Sequence, residues 1–78
     1  MKVSIHSLEK TLYEGEATVT TLPAEGGEIS VLSGHLPLTT SLVQGVISIK
    51  ESQISKKEFP ILGGFAEVQK DDLVVLVD

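Results

Sequence analysis

Seventy-eight residues with eleven acidic and six basic side chains carry a formal net charge of −5, a balance that disfavours a nucleic-acid backbone and favours a basic protein surface as partner. Without cysteine there is no disulfide framework and no thiolate metal site, so stability rests on one apolar core and on any protein the chain binds. Tyr13, Phe59 and Phe65 are the whole aromatic complement, too few for a base-stacking platform.

The length implies a single domain over residues 1–78, near the size at which one core only just holds, because small domains bury roughly 60% of their unfolded surface. The chain opens directly into a strand pattern, so no signal or transit peptide is expected. No apolar run approaches the ~20 residues of a membrane-spanning helix. Membrane association is therefore expected through other proteins, without direct insertion.

Met1–Ser7 alternates, with Val3 and Ile5 on one face and Lys2, Ser4 and His6 on the other, the period of a half-buried strand. Leu12 to Leu22 reads as one long bent strand, with Gly15 marking a bulge or a close backbone approach. Pro23-Ala-Glu-Gly-Gly is turn chemistry, since proline presets φ and either glycine can take a positive φ. Glu28–Leu32 is a short strand, Ser33-Gly34-His35 the next turn, and Pro37 marks a strand start or an edge. Leu38–Val43 and Val46–Lys50 are further strands, with a tight turn expected at Gln44-Gly45. Glu51–Lys57 is a polar crossing, and the strand Lys56–Leu62 carries Pro60 at an edge or bulge. Gly63-Gly64 breaks the chain where a side chain would clash. Phe65–Gln69 and Leu73–Val77 form a closing hairpin around Lys70-Asp71-Asp72. No capped window of ten residues has helical spacing, so the expected fold is all-β, a two-layer antiparallel β-sandwich of about ten short strands.

No Ser/His/Asp order, HExxH, phosphate loop or dinucleotide glycine fingerprint occurs. The two histidines, His6 and His35, have no spacing that makes a metal site. A non-enzyme with no cofactor and no metal is the expectation. From the residues alone, Glu28 reads as a solvated carboxylate and His35 as a ring that holds its own turn. Phe65 is open between an inward core position and an exposed anchor.

Three blocks change the weighting: LYEGEA at Leu12–Ala17, GGEISVLSGHLPL at Gly26–Leu38 and LGGFAEVQKDDLVVLVD at Leu62–Asp78. In this order and spacing they resemble the N-terminal β-sandwich domain of the epsilon subunit of F-type ATP synthases, over essentially the whole chain. Ser33 stands where that family usually has proline, Leu36 where it has alanine, and Leu62 where it has a small polar residue. The resemblance implies a non-catalytic central-stalk subunit that couples rotation of the c-ring to the gamma subunit. It further implies that Glu28, Glu25 and Gly27 face the c-ring polar loops and that His35, Thr40 and Phe65 face gamma. The implied location is peripheral, on the cytoplasmic face of the bacterial inner membrane, with the plastid thylakoid as the alternative. Relatives commonly continue into an inhibitory two-helix hairpin; this chain stops at Asp78, so assembly and coupling are expected without that arm. The competing reading is a lipoyl- or biotinyl-type carrier using Lys56 or Lys57, or another small all-β binding module.

Overall fold

The computed structural model describes residues 1–34 and 37–78. Their alternating segments form β1 (Lys2–His6), β2 (Thr11–Glu16), β3 (Val19–Ala24), β4 (Gly27–Leu32), β5 (Leu38–Leu42), β6 (Gly45–Lys50), β7 (Lys56–Ile61), β8 (Gly64–Gln69) and β9 (Asp72–Val77). Hydrogen bonding orders them β2-β1-β9-β8-β5-β3-β6-β7, with β4 on the other side of β3. One residue pair, Ala24 opposite Leu42, joins β5 to β3. The sheet folds over at that bridge into a five-stranded layer, β2-β1-β9-β8-β5, and a four-stranded layer, β4-β3-β6-β7. This is the expected two-layer all-β architecture, with nine described strands against about ten. Among the described residues the one departure from antiparallel pairing is β1 beside β9. The two ends of the chain meet there, and everything between them serves as the long connection that parallel strands require.

The core follows from the alternation. Val3 and Ile5 of β1, Ile47 and Ile49 of β6, and Leu73 and Val75 of β9 are no more than 1% exposed, and Leu22 and Val31 complete the contact between layers. Each such side chain stabilises by about 1.5–3 kcal/mol relative to an exposed position. Pro60 sits in β7, which among the described strands pairs only with β6; its missing N–H costs the ladder least there.

Two expected connections are corrected. Leu12–Leu22 is not one strand: the Ala17 amide donates to the Met1 carbonyl, while the Thr18 amide donates to that of Lys50. The chain leaves one layer for the other between those residues. Gly15 marks neither a bulge nor a close backbone approach: the β1–β2 register runs through it unshifted, and a Cβ there would meet side-chain atoms, 2.5 Å from the Tyr13 hydroxyl. Gln44-Gly45 is likewise no hairpin turn. β5 pairs with β8 whereas β6 pairs with β3 and β7. The chain crosses layers beneath Pro23, whose carbonyl accepts from the Val43 amide at 2.9 Å. A Cβ on Gly45 would lie 2.8 Å from the Pro23 Cβ, so glycine is what lets the crossing pass.

One inward position goes against the apolar pattern. Thr20 is fully buried opposite Val31 and Ile49, and its hydroxyl has no partner among the described residues. An unmade hydrogen bond of this kind costs about 1–3 kcal/mol. Thr20→Val is therefore expected to raise stability by about 1 kcal/mol, read as a rise of ~4–8 °C in Tm for a domain of this size. An unchanged or lower Tm by circular dichroism would show that the hydroxyl is satisfied.

Candidate functional site

Two exposed features lie side by side at the folded-over end. The first is the β3–β4 hairpin, where Ala24 faces Gly27 and leaves Glu25-Gly26 as a two-residue turn. Gly27 has φ 129°, a conformation that L side chains resist, so of the two glycines it is the second that the turn requires. Glu25, Gly26, Gly27 and Glu28 are all exposed. The Glu25 amide donates to the Ser41 carbonyl at 3.0 Å, which ties the turn to the other layer. Neither Glu25 nor Glu28 is in an ion pair among the described residues. Two unneutralised carboxylates are thus held on one corner, where Glu25, Gly27 and Glu28 lie together.

The second feature is apolar. Phe65 in β8 is 43% exposed and faces Leu76 of β9, which is 53% exposed. Leu62 and Leu8, both solvent-exposed, line the same shallow cleft beside Asp78. The two features are neighbours through the ladder: Glu25 bonds Ser41, Ser41 faces Phe65, and Phe65 faces Leu76. Leu8 and Leu76 were not among the expected site residues. The readable sign was the uninterrupted run Leu73–Val77, since a strand apolar at every position has an apolar outer face as well as an inner one.

The expected gamma-facing residues are not brought together. Thr40 faces buried Ala66 and is half-buried on the inner side of the five-stranded layer, whereas Phe65 points outward. One flat partner cannot touch both, because adjacent positions alternate between faces. His35 lies outside the described residues.

The opposite edge is closed by side chains. The Tyr13 hydroxyl donates to Glu51, and the Tyr13 and Phe59 rings pack at 5.5 Å between centroids. Burial, then the bond to Glu51 and its charge, push the Tyr13 phenol up to about 12. Bonds from Tyr13 and then Ser55 hold the Glu51 carboxyl below its ordinary value. Ser55 donates from 2.8 Å and Lys57 from 3.4 Å to the same Glu51 oxygen. A carrier would need a lysine at the tip of the β6–β7 hairpin. The tip is Ser52–Ile54, while Lys57 is tied to Glu51 and Lys56 lies 3.5 Å from Glu58. Among the described residues no three His, Cys, Asp or Glu side chains gather to hold a metal ion, and no helix is long and apolar enough to cross a membrane.

Comparison with known proteins bears on this geometry. The family model described as ATP synthase, Delta/Epsilon chain, beta-sandwich domain matches residues 1–78. The ATP synthase epsilon chain of Nostoc sp. strain PCC 7120 is 38% identical over 79 residues, covering 100% of this chain and 58% of that protein. That of Herminiimonas arsenicoxydans is 39% identical over 79 residues, covering 100% and 56%. The chain therefore spans somewhat over half the length of these relatives. Among solved structures, a chain of the Euglena gracilis mitochondrial ATP synthase, in an OSCP/F1/c-ring assembly, superimposes with a TM-score of 0.89 at 21% identity, covering 96% of this chain and 48% of that one. A chain from the central stalk/c-ring of the Tetrahymena thermophila mitochondrial ATP synthase gives 0.80 at 17%, covering 99% and 62%. At those identities the structural likeness speaks for the fold.

Proposed function

The chain belongs to the ATP synthase delta/epsilon-chain family through its β-sandwich domain, and from that membership we propose that it is a non-catalytic rotor subunit of a membrane-bound, proton-translocating F-type ATP synthase. In this reading the sandwich sits in the central stalk on the cytoplasmic face of the membrane and passes rotation of the c-ring to the gamma subunit. The observation that carries it is the family match over every residue of the chain. Torque transfer needs a stiff body with separated contacts, and two layers of hydrogen-bonded strands provide the stiffness.

The corner Glu25–Glu28 is the surface we assign to the polar loops of the c-ring. Its carboxylates are exposed and unneutralised by any described neighbour, so a basic loop can form charge-assisted hydrogen bonds without first displacing an internal partner. The adjoining apolar surface around Phe65 and Leu76 is assigned to gamma, since exposed aromatics make good interface anchors. Thr40 supports that surface from behind without touching it.

Glu28→Lys is expected to weaken attachment to a purified c-ring about tenfold, equivalent to about 1.4 kcal/mol, while co-purification with gamma is unchanged. Phe65→Glu is expected to do the reverse. Equal losses to both partners in either variant would show that the two surfaces are misassigned, and no complex with gamma at micromolar concentration would remove the rotor reading.

A further inference from the structure

Beyond Gly27 and Glu28, which belong to the corner assigned to the ring, the outer edge of β4 belongs to neither docking surface. β4 is hydrogen-bonded to β3 through six consecutive antiparallel pairs and to no other described strand. Pro23 lacks an N–H and faces Glu28, so that pair is a non-hydrogen-bonded one. By alternation, Glu28, Ser30 and Leu32 then direct their N–H and C=O groups away from β3. No backbone group among the described residues meets them.

Exposed strand edges are ordinarily blunted by proline, lysine, bulges or charge. β7, the other edge of this layer, carries Lys56, Lys57 and Pro60. β2, the outer strand of the five-stranded layer, carries Glu14 and Glu16 and pairs through a register shift at Ile5/His6. β4 reads GEISVL, with no proline, lysine or register shift. Its only charge is Glu28, next to the turn.

We propose that β4 pairs antiparallel with β4 of a second copy of this chain, about a two-fold axis through Ser30. In that register Ser30 faces Ser30 of the other copy, Glu28 faces Leu32, and Ile29 faces Val31. The three outward-directed residues of each copy satisfy their backbone groups against those of the other. The two Glu28 residues are then roughly 14 Å apart along the strands, at ~3.4 Å per residue. An axis through Ile29 or Val31 would pair only two of the three outward residues within the strand, one through Glu28 would oppose the two carboxylates, and one through Leu32 would run the pairing past the end of the strand, so the Ser30 register is the one the edge favours. Because the strands run in opposite directions, the two Glu25-Gly26 turns point to opposite ends of the joined sheet. The self-paired form cannot present both turns to one ring, a consequence that rests on the ring assignment above; the pairing itself does not.

Sedimentation of the whole chain from about 1 μM to about 1 mM, the range of weak interfaces, is expected to show a concentration-dependent dimer. Hydrogen exchange should slow at the amides of Glu28, Ser30 and Leu32 as the dimer forms. Ser30→Lys, on an exposed outward position, sets two ammonium groups opposite each other and is expected to weaken association at least about tenfold. Ser30→Thr keeps the register and is expected to preserve it. A monomer at every concentration overturns the pairing while leaving the ring assignment standing. A dimer unaffected by Ser30→Lys, or protection gained on β2 or β7 instead, also overturns it.

Discussion

Gly64→Val is expected to cost at least about 3 kcal/mol, the upper range for forcing atoms into a filled site, and to lower Tm by roughly 15 °C. Gly64 opens β8 and faces both Leu42 and Val77. A Cβ there would run into the Leu76 carbonyl oxygen and stand 3.0 Å from the Val77 Cα. Both obstacles are backbone held in the β8–β9 ladder, so they cannot swing aside as a flexible side chain would. The clash also strikes the strands that carry Phe65 and Leu76, so the apolar surface should lose its shape with the fold. Gly26→Ala is the matched control: nothing lies within 4 Å of its added Cβ, and its expected change is within about 0.5 kcal/mol. Thermal unfolding of both variants by circular dichroism decides the matter. Equal losses would mean that Gly64 serves only as a flexible joint.

Tyr13→Ala is expected to cost about 3–5 kcal/mol, as for other buried aromatic deletions, because Tyr13 crosses the seam between β2 and β7. Its ring packs on Phe59 and its hydroxyl reaches Glu51. Among the described residues no backbone ladder joins those two strands, so side chains such as this ring hold the seam. Tyr13→Phe keeps the ring and loses the hydroxyl bond, an expected cost of about 1–2 kcal/mol. The two effects separate with pH. The folded chain holds the Tyr13 proton more tightly than the unfolded chain, with its ordinary value of 10.0 raised to about 12. The stabilisation from the neutral phenol is therefore complete below pH 10 and is lost as pH rises toward 12. Glu51 has the opposite sign. Its folded-state value is depressed, so its contribution is present above the ordinary carboxylate range and disappears as pH falls through the folded value. In urea titrations the gap between wild type and Tyr13→Phe should narrow both above pH 10 and in acid. A gap constant across the whole range would show that the hydroxyl bond contributes nothing.

The corner at Glu25–Glu28 is readable because its chemistry is local: Gly27 takes a φ of 129° that L side chains resist, although Pro23, expected in the turn, lies in β3 and leaves only Glu25-Gly26 to turn. The paired docking face beside it is not. Alternation names Phe65 without orienting it, Thr40 points to the other face of its layer, and Leu76 lies inside a run that alternation alone cannot divide.

Local order was the part the sequence determined by itself. The period-2 placement of Val3, Ile5, Ile47 and Ile49, the edge position of Pro60 and the break at Gly63-Gly64 depend on a residue and its near neighbours, and each stands in the structure as read. The tertiary structure alone decided which strands meet: that β5 and β6 part company at Gly45, that the chain changes layers at Ala17–Thr18, that β1 lies parallel to β9, and that Tyr13 finds Glu51 thirty-eight positions away. A strand's alternation sets which side chains share a face. Its neighbours are chosen by packing and hydrogen-bond satisfaction over the whole chain, and no short window contains that information.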